Sequence, residues 1–233
     1  MQSKKIILFI VEGIHDKTSL SICLSELLSG ASVHFALTHG DITSRYGTSA
    51  KNISERIGAI VKNFSGSIFK PKDFYEVVHI IDTDGAFISE EHIKMAATKE
   101  EGSPHTQYKP EEILTPEPKN IKERNEQKSE VIERMLSIEK VWRIIPYHVY
   151  YFSTNMDHVL HNNPNPTREE KVQLAEKFEN QYYKKPEEFS KLFHENDLAV
   201  KGDYEETWDF IMLDCNSLKR YSNFGIYLEE REN

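Results

Sequence analysis

Four carboxylates stand where an α/β protein gathers its ligands. The run "KIILFIVEG", residues 5 to 13, ends in Glu12, and Asp16 follows four residues later. The run "HIIDTDG", residues 79 to 85, ends in Asp82 and Asp84 with one residue between them. Strands of a parallel sheet end on one edge, so these residues can meet in space. Donor sets made only of oxygen suit hard cations such as Mg²⁺ or Mn²⁺, and two ions roughly 3.5–4 Å apart are a common device in phosphodiester chemistry. Without a cation the four would repel one another. Each also has a plainer reading: Asp16 suits a helix N-cap, and an acidic pair after a strand is often a solvated turn.

The elements that must position them follow from the apolar pattern. "KIILFIVEG" reads as a strand buried on both faces. Leu20, Cys23, Leu24, Leu27 and Leu28 then fall at helical spacing, with Gly30 as a stop and Gly13 expected to turn the chain sharply. "SVHFALT" predicts a second strand, "SAKNISERIGAIVKNF" a second helix, "FYEVVHIID" a third strand, "QKSEVIERMLS" a helix and "KVWRIIPYHVYY" a fourth strand. This β-α-β-α-β-α-β order predicts an α/β fold, with a mainly parallel four-stranded sheet flanked by helices over residues 1–152. Residues 96–127, rich in Pro, Glu, Lys and Thr, read as a partly mobile insertion. Residues 153–233 read as a helical C-terminal extension, with Val172, Ala175, Phe178 and Tyr182 on one helix face and Tyr204, Trp208, Ile211, Met212 and Cys215 on another.

Composition narrows the classes. The chain has 233 residues, a net charge of −9 and 38% hydrophobic content, which speaks against a basic coat for nucleic acid. A local basic patch or bound cations can still bring an acidic chain to nucleic acid. The two cysteines, Cys23 and Cys215, form no framework. The apolar run at the start is too short for a signal or a membrane span. The expectation is a soluble cytoplasmic protein.

"IVEGIHD" followed by "HIIDTDG" resembles the Toprim domain of topoisomerases, bacterial primases, ribosomal-RNA-maturing ribonucleases and OLD-type nucleases. Glu12, Asp82 and Asp84 match the family's glutamate and DxD, and the Glu12–Asp16 spacing is similar to the OLD branch, where both carboxylates serve metal. The resemblance covers roughly residues 4–152, the insertion aside. It implies a Rossmann-like Toprim core, bound Mg²⁺ or Mn²⁺, and catalysis by Glu12, Asp82 and Asp84, with Asp16 as a further metal ligand. No GxxxxGK[ST] motif occurs, so an ATPase would be a separate partner. Nothing corresponds to a topoisomerase cleavage tyrosine domain or a primase zinc motif.

The loop "ALTHGDITSRYG" lies on the expected active edge. His39, Gly40 and Asp41 in it are candidate substrate contacts, and Arg45 and Lys51 are candidates to meet a phosphate backbone beside the first turn of the second helix. His39 is also readable as a plain loop histidine. Lys17, Lys219 and Arg220 are weaker candidates. Ser153, Asp157 and His158 either join the site or cap a helix, with Ser153 or Thr154 as the cap. His158 and His161 share a helix face but lack zinc partners.

Three functions stay open. The leading one is a metal-dependent nuclease acting on RNA or DNA, with a role in defence or phage biology by analogy. The second is a haloacid-dehalogenase-type phosphatase, suggested by "IIDTDG" and a later acidic "GDYEETWD"; it gives Glu12 no role. The third is a non-catalytic binding module, in which the carboxylates need salt-bridge partners. The aromatic-rich C-terminal helices are candidate surfaces for a homo-oligomer or partner.

Overall fold

The computed structural model describes residues 4–96, 106–195 and 197–232. Its centre is a five-stranded sheet in the order β2-β1-β3-β8-β7. Strands β1 (Ile6–Val11), β2 (Ser32–Leu37), β3 (Phe74–Asp82) and β8 (Ile145–Phe152) are parallel, and the short β7 (Lys140–Val141) pairs antiparallel with β8. The segment expected as one fourth strand is thus a hairpin, turned at Trp142 and Arg143, both at positive φ (45° and 73°). The class is α/β with a mostly parallel sheet flanked by helices.

Alternation along β1 explains both layers. Ile7, Phe9 and Val11 face one apolar cluster, with Leu20, Cys23 and Leu24 of helix α1 (Ile14–Leu27). Ile6, Leu8 and Ile10 face the other, with Ile53, Ile57 and Val61 of helix α2 (Ile53–Ser65) and Val131, Ile132 and Met135 of helix α3 (Pro118–Leu136). All six β1 residues are buried, which is why the strand carries no polar alternation. Burying such a side chain contributes roughly 1.5–3 kcal/mol, so both helix layers are held chiefly by this strand and its neighbours.

The helices beyond residue 153 pack on both faces. Helices α4 (Met156–His161), α5 (Arg168–Tyr182), α6 (Pro186–Leu192) and α8 (Phe224–Glu232) add residues such as Val159, Phe178, Phe189 and Phe224 to the first cluster. Helix α7 (Tyr204–Met212) adds Trp208 and Ile211 to the second. Val172 of α5 is exposed, so that helix buries only Ala175, Phe178 and Tyr182.

The insertion expected at 96–127 is largely built. Strands β4 (Ile93–Met95), β5 (Gln107–Lys109) and β6 (Glu112–Thr115) form a second sheet, ordered β4-β6-β5. Helix α3 already starts at Pro118, where proline in the first turn costs no hydrogen bond. Residues 97–105 of the expected mobile stretch lie outside the described residues. No helix among the described residues is long and apolar enough to cross a membrane.

Arg231 of α8 reaches the far pole of the sheet, where its Nη2 donates to both oxygens of Glu76 at 2.8 and 2.7 Å. Glu76 is 1% exposed in β3 and also accepts from the Tyr227 hydroxyl at 3.0 Å.

Candidate functional site

The order β2-β1-β3 makes the gap between β1 and β3 the topological switch point, where the connections leave to opposite sides. Glu12 follows the last residue of β1 and Asp82 is the last of β3. After Leu37 the chain stays beside the exit of β1: the Thr38 and Gly40 amides donate to the carbonyls of Val11 and Glu12, both at 3.0 Å. That path delivers Asp41 to the same edge.

The turn after β3 is fixed from behind. The amides of Thr83 and Asp84 donate to the Phe152 and Thr154 carbonyls at 3.1 and 2.7 Å, and the Thr83 hydroxyl donates to Ser217 O at 3.0 Å. Asp84 sits at φ 51° and Gly85 at φ 68°. A Cβ on Gly85 would stand 2.5 Å from Leu218 Cδ2, so both backbone and space require glycine there.

Sequence reasoning missed Lys128. Its side chain is 0% exposed and its Nζ lies 2.6 Å from Asp84 Oδ2 and 2.9 Å from Asp41 Oδ2. Burial would lower its pKa, but Asp41, Asp84 and Glu12 override that and raise it, so the ammonium stays charged. Asp41 is held well below the usual carboxylate range: Lys128 and the hydroxyls of Ser44 and Thr43 outweigh its burial. Asp84 also accepts from the Tyr108 hydroxyl at 3.0 Å, while Arg124 donates to Tyr108 Oη at 2.9 Å and to Asp84 O at 2.8 Å. A signal for Lys128 exists: with Ile121, Asn125, Ile132 and Met135 it repeats at four- and three-residue steps on the buried stripe of α3.

Among the described residues, no cation forms an ion pair with Glu12, Asp82 or Asp16, and Glu12 Oε1 is buried without a hydrogen-bond partner. Burial pushes its carboxyl well up, Asp41, Asp84 and Asp16 push it further, and Lys128 opposes. Asp82 Oδ1 accepts the Met156 amide at 2.9 Å. Its carboxyl too is raised well above the ordinary value, by burial first and then by Glu12, Asp16 and Asp84. Asp16 is the third residue of α1 and accepts the Gly13 amide at 2.7 Å, so it does cap the helix, but from inside. Burial raises it to about 6, against that hydrogen bond and with Asp157 adding to the rise. Gly13 itself is extended (φ −134°), so the expected glycine-specific turn is not needed.

The other candidates fall as follows. His39 (φ 55°) and Gly40 (φ 107°) are exposed on the loop. Arg45 is exposed, but its Nη2 donates to the carbonyls of Thr38 and His39 at 2.8 and 3.0 Å and so braces that loop. Lys51 is exposed just before α2. Asp157 stands near Asp16 and pairs with Lys171 at 3.0 Å. The cap of α4 is Asn155, which accepts the His158 amide at 2.9 Å; neither Ser153 nor Thr154 fills that role. His158 is lowered to about 4 by burial and Arg220. The acidic "GDYEETWD" serves as the cap of α7, where Asp203 and Glu206 form a reciprocal capping box.

Among the described residues, no three His, Cys, Asp or Glu side chains form a ready metal cage. Alternation supplies a reason: Glu12 continues the β1 positions that face α2 and α3, whereas Asp82 continues the β3 positions that face α1 and α4. The donor chemistry nonetheless fits a hard divalent cation. Burial and repulsion between carboxylates raise the carboxyls of Glu12, Asp16 and Asp82, with Lys128 and Lys171 only partly opposing, and one Glu12 oxygen is orphaned.

Fold and site thus define an α/β protein with an acidic, partly neutralised group of side chains at the carboxyl ends of its parallel strands. The chain matches no protein-family model, no curated protein and no solved structure.

Proposed function

We propose that this chain is a Toprim-like, divalent-cation-dependent phosphodiesterase, a nuclease acting on RNA or DNA at the β1–β3 switch point. The observation that carries the reading is Glu12 Oε1, a buried carboxylate oxygen with no partner among the described residues, at the edge where open α/β sheets bind ligands and where Asp82 ends the neighbouring strand. Glu12, Asp16 and Asp82 would hold Mg²⁺ or Mn²⁺, which when bound supplies Lewis-acid polarisation of a phosphoryl oxygen. Glu12 is the carboxylate with an uncommitted acceptor oxygen, so it is the group to take a proton from an attacking water. Asp82 is steadied by the Met156 amide, and Lys128 holds Asp84 and Asp41 while adding a permanent positive charge beside the phosphate path.

The test is cleavage of RNA, single-stranded DNA and supercoiled plasmid with Mg²⁺, Mn²⁺ or EDTA, for wild type, Glu12→Gln and Asp82→Asn. Turnover is expected to need the metal and to vanish in both variants. Cleavage that survives EDTA or either substitution overturns the reading. Metal binding without cleavage moves the proposal to a two-protein system in which a separate ATPase completes the activity. A second reading has partial support: Lys128 pairs with Asp84 and Asp41 and Lys171 with Asp157, so one of the four motif carboxylates has the salt-bridge partner that a non-catalytic binding module requires. It expects neither metal binding nor turnover.

A further inference from the structure

We infer that the Lys128 ammonium is a tethered cation standing in for a second divalent ion, so that the acidic edge accepts one ion and not two. The inference rests on reading Glu12 and its neighbours as a cation site, and it divides the four carboxylates of the two sequence motifs unequally. Glu12, Asp16 and Asp82, which lack an ion-paired cation among the described residues, are left to take the ion, with Glu12 first. Asp84 is already spent.

Hydrogen-bond accounting carries the division. Asp84 Oδ2 accepts from Lys128 at 2.6 Å and its Oδ1 from Tyr108 at 3.0 Å. Asp41 Oδ2 accepts from Lys128 at 2.9 Å and from Ser44 at 2.6 Å, and its Oδ1 accepts the Thr43 amide at 2.7 Å. Every oxygen of this pair is engaged, and the space between the two carboxylates holds an ammonium with no solvent exposure. On the other side, Glu12 Oε1 has no partner. A hard dication needs oxygen lone pairs and room for its waters; between Asp41 and Asp84 the ammonium already stands where it would bind, whereas Glu12 offers an oxygen with no partner among the described residues.

Electrostatics points the same way. An ammonium buried without partners is strongly unfavourable, and two carboxylates at hydrogen-bond distance offset that cost. A dication entering between Asp41 and Asp84 would have to displace the fully buried Lys128 ammonium. The lysine is therefore a permanent charge on the Asp84 flank, and the exchangeable charge belongs to the Glu12 flank.

The test is calorimetric titration of the whole chain with MnCl₂ and MgCl₂, read as stoichiometry, alongside thermal melts with and without the ion. Wild type is expected to bind one ion. Glu12→Gln is expected to weaken binding by about tenfold or more, whereas Asp84→Asn retains one ion at an affinity within a few-fold of wild type. Lys128→Gln is expected to gain a second ion, and a larger rise in melting temperature on adding it than wild type shows. Should Lys128→Gln not fold, the comparison of Glu12→Gln with Asp84→Asn decides alone. Two ions in wild type, or loss of binding in Asp84→Asn as deep as in Glu12→Gln, overturns the inference and leaves the metal-dependent reading standing. No binding of either ion by wild type overturns both.

Discussion

Asp16→Asn separates capping from charge at the first turn of α1. In the wild type, burial raises the Asp16 carboxyl from 3.8 to about 6, the Gly13 amide opposes the rise and Asp157 adds to it. A shift of that size corresponds to roughly 3 kcal/mol. The sign follows from proton binding: between about pH 4 and pH 6 the folded state keeps a proton that the unfolded state has released. Stability supplied by that proton is complete below the unfolded value and is lost as pH rises through the folded one. Asparagine cannot ionise, yet it keeps an oxygen for the Gly13 amide. Without divalent ions at about pH 8, Asp16→Asn is therefore expected to be more stable by about 1.5–3 kcal/mol, the lower figure allowing for solvent at this partly buried group. For a chain of this length that is a rise in Tm of roughly 3–10 °C. At about pH 3.5 the wild-type carboxyl is mostly protonated in both states, and the difference is expected to vanish. Thermal melts by circular dichroism in EDTA at the two pH values measure both numbers. Equal differences at the two pH values, or a less stable variant at the higher one, would refute the reasoning. Adding Mg²⁺ is expected to reverse the order, because the amide is a poorer ligand than the carboxylate.

Three further outcomes follow from contacts described above. Arg231→Ala leaves Glu76 buried with only Tyr227 and the distant His148 beside it, and is expected to cost about 3–5 kcal/mol in a denaturant melt; adding Glu76→Gln to it is expected to recover a large part of that loss. Gly85→Ala forces a Cβ into left-handed backbone and against Leu218, for about 2–4 kcal/mol, and is expected to lower metal affinity because the turn follows directly on Asp82. Tyr108→Phe removes the hydroxyl between Asp84 and Arg124 and is expected to cost about 1 kcal/mol; an unchanged melt would show that this bridge contributes nothing.

Strand β1 was legible as an unbroken apolar run that ends at Glu12, and β2 and β3 as runs rich in β-branched and aromatic residues that end at turn residues despite His34, Glu76 and His79. Glu12, Asp82 and Asp84 were legible because they stand where such strands end, and Asp16 by its spacing from Glu12. The hairpin of β7 and β8 was not, because Trp142 and Arg143 make its left-handed turn without glycine or proline. The second sheet was hidden by strands of three or four residues, too short to show a period. Proline at 118 looked like a breaker and is a helix start. Lys128 lies in "NEQKSE", which reads as solvated surface, and only its register with Ile121 and Met135 betrays it. Arg231 gave no sequence signal toward Glu76, because a charge pair 155 residues apart has no local pattern.

That same separation sets an order of events during synthesis. Once residue 76 has emerged, a ribosome adding 5–20 residues per second needs roughly 8–30 s more to deliver residue 231. Throughout that interval the central strand carries a carboxylate whose counter-charge has not yet been made. Solvation of Glu76 then favours keeping the middle of the sheet open. The three-stranded β2-β1-β3 unit is thus discouraged from closing around an unneutralised charge until residue 231 has been delivered.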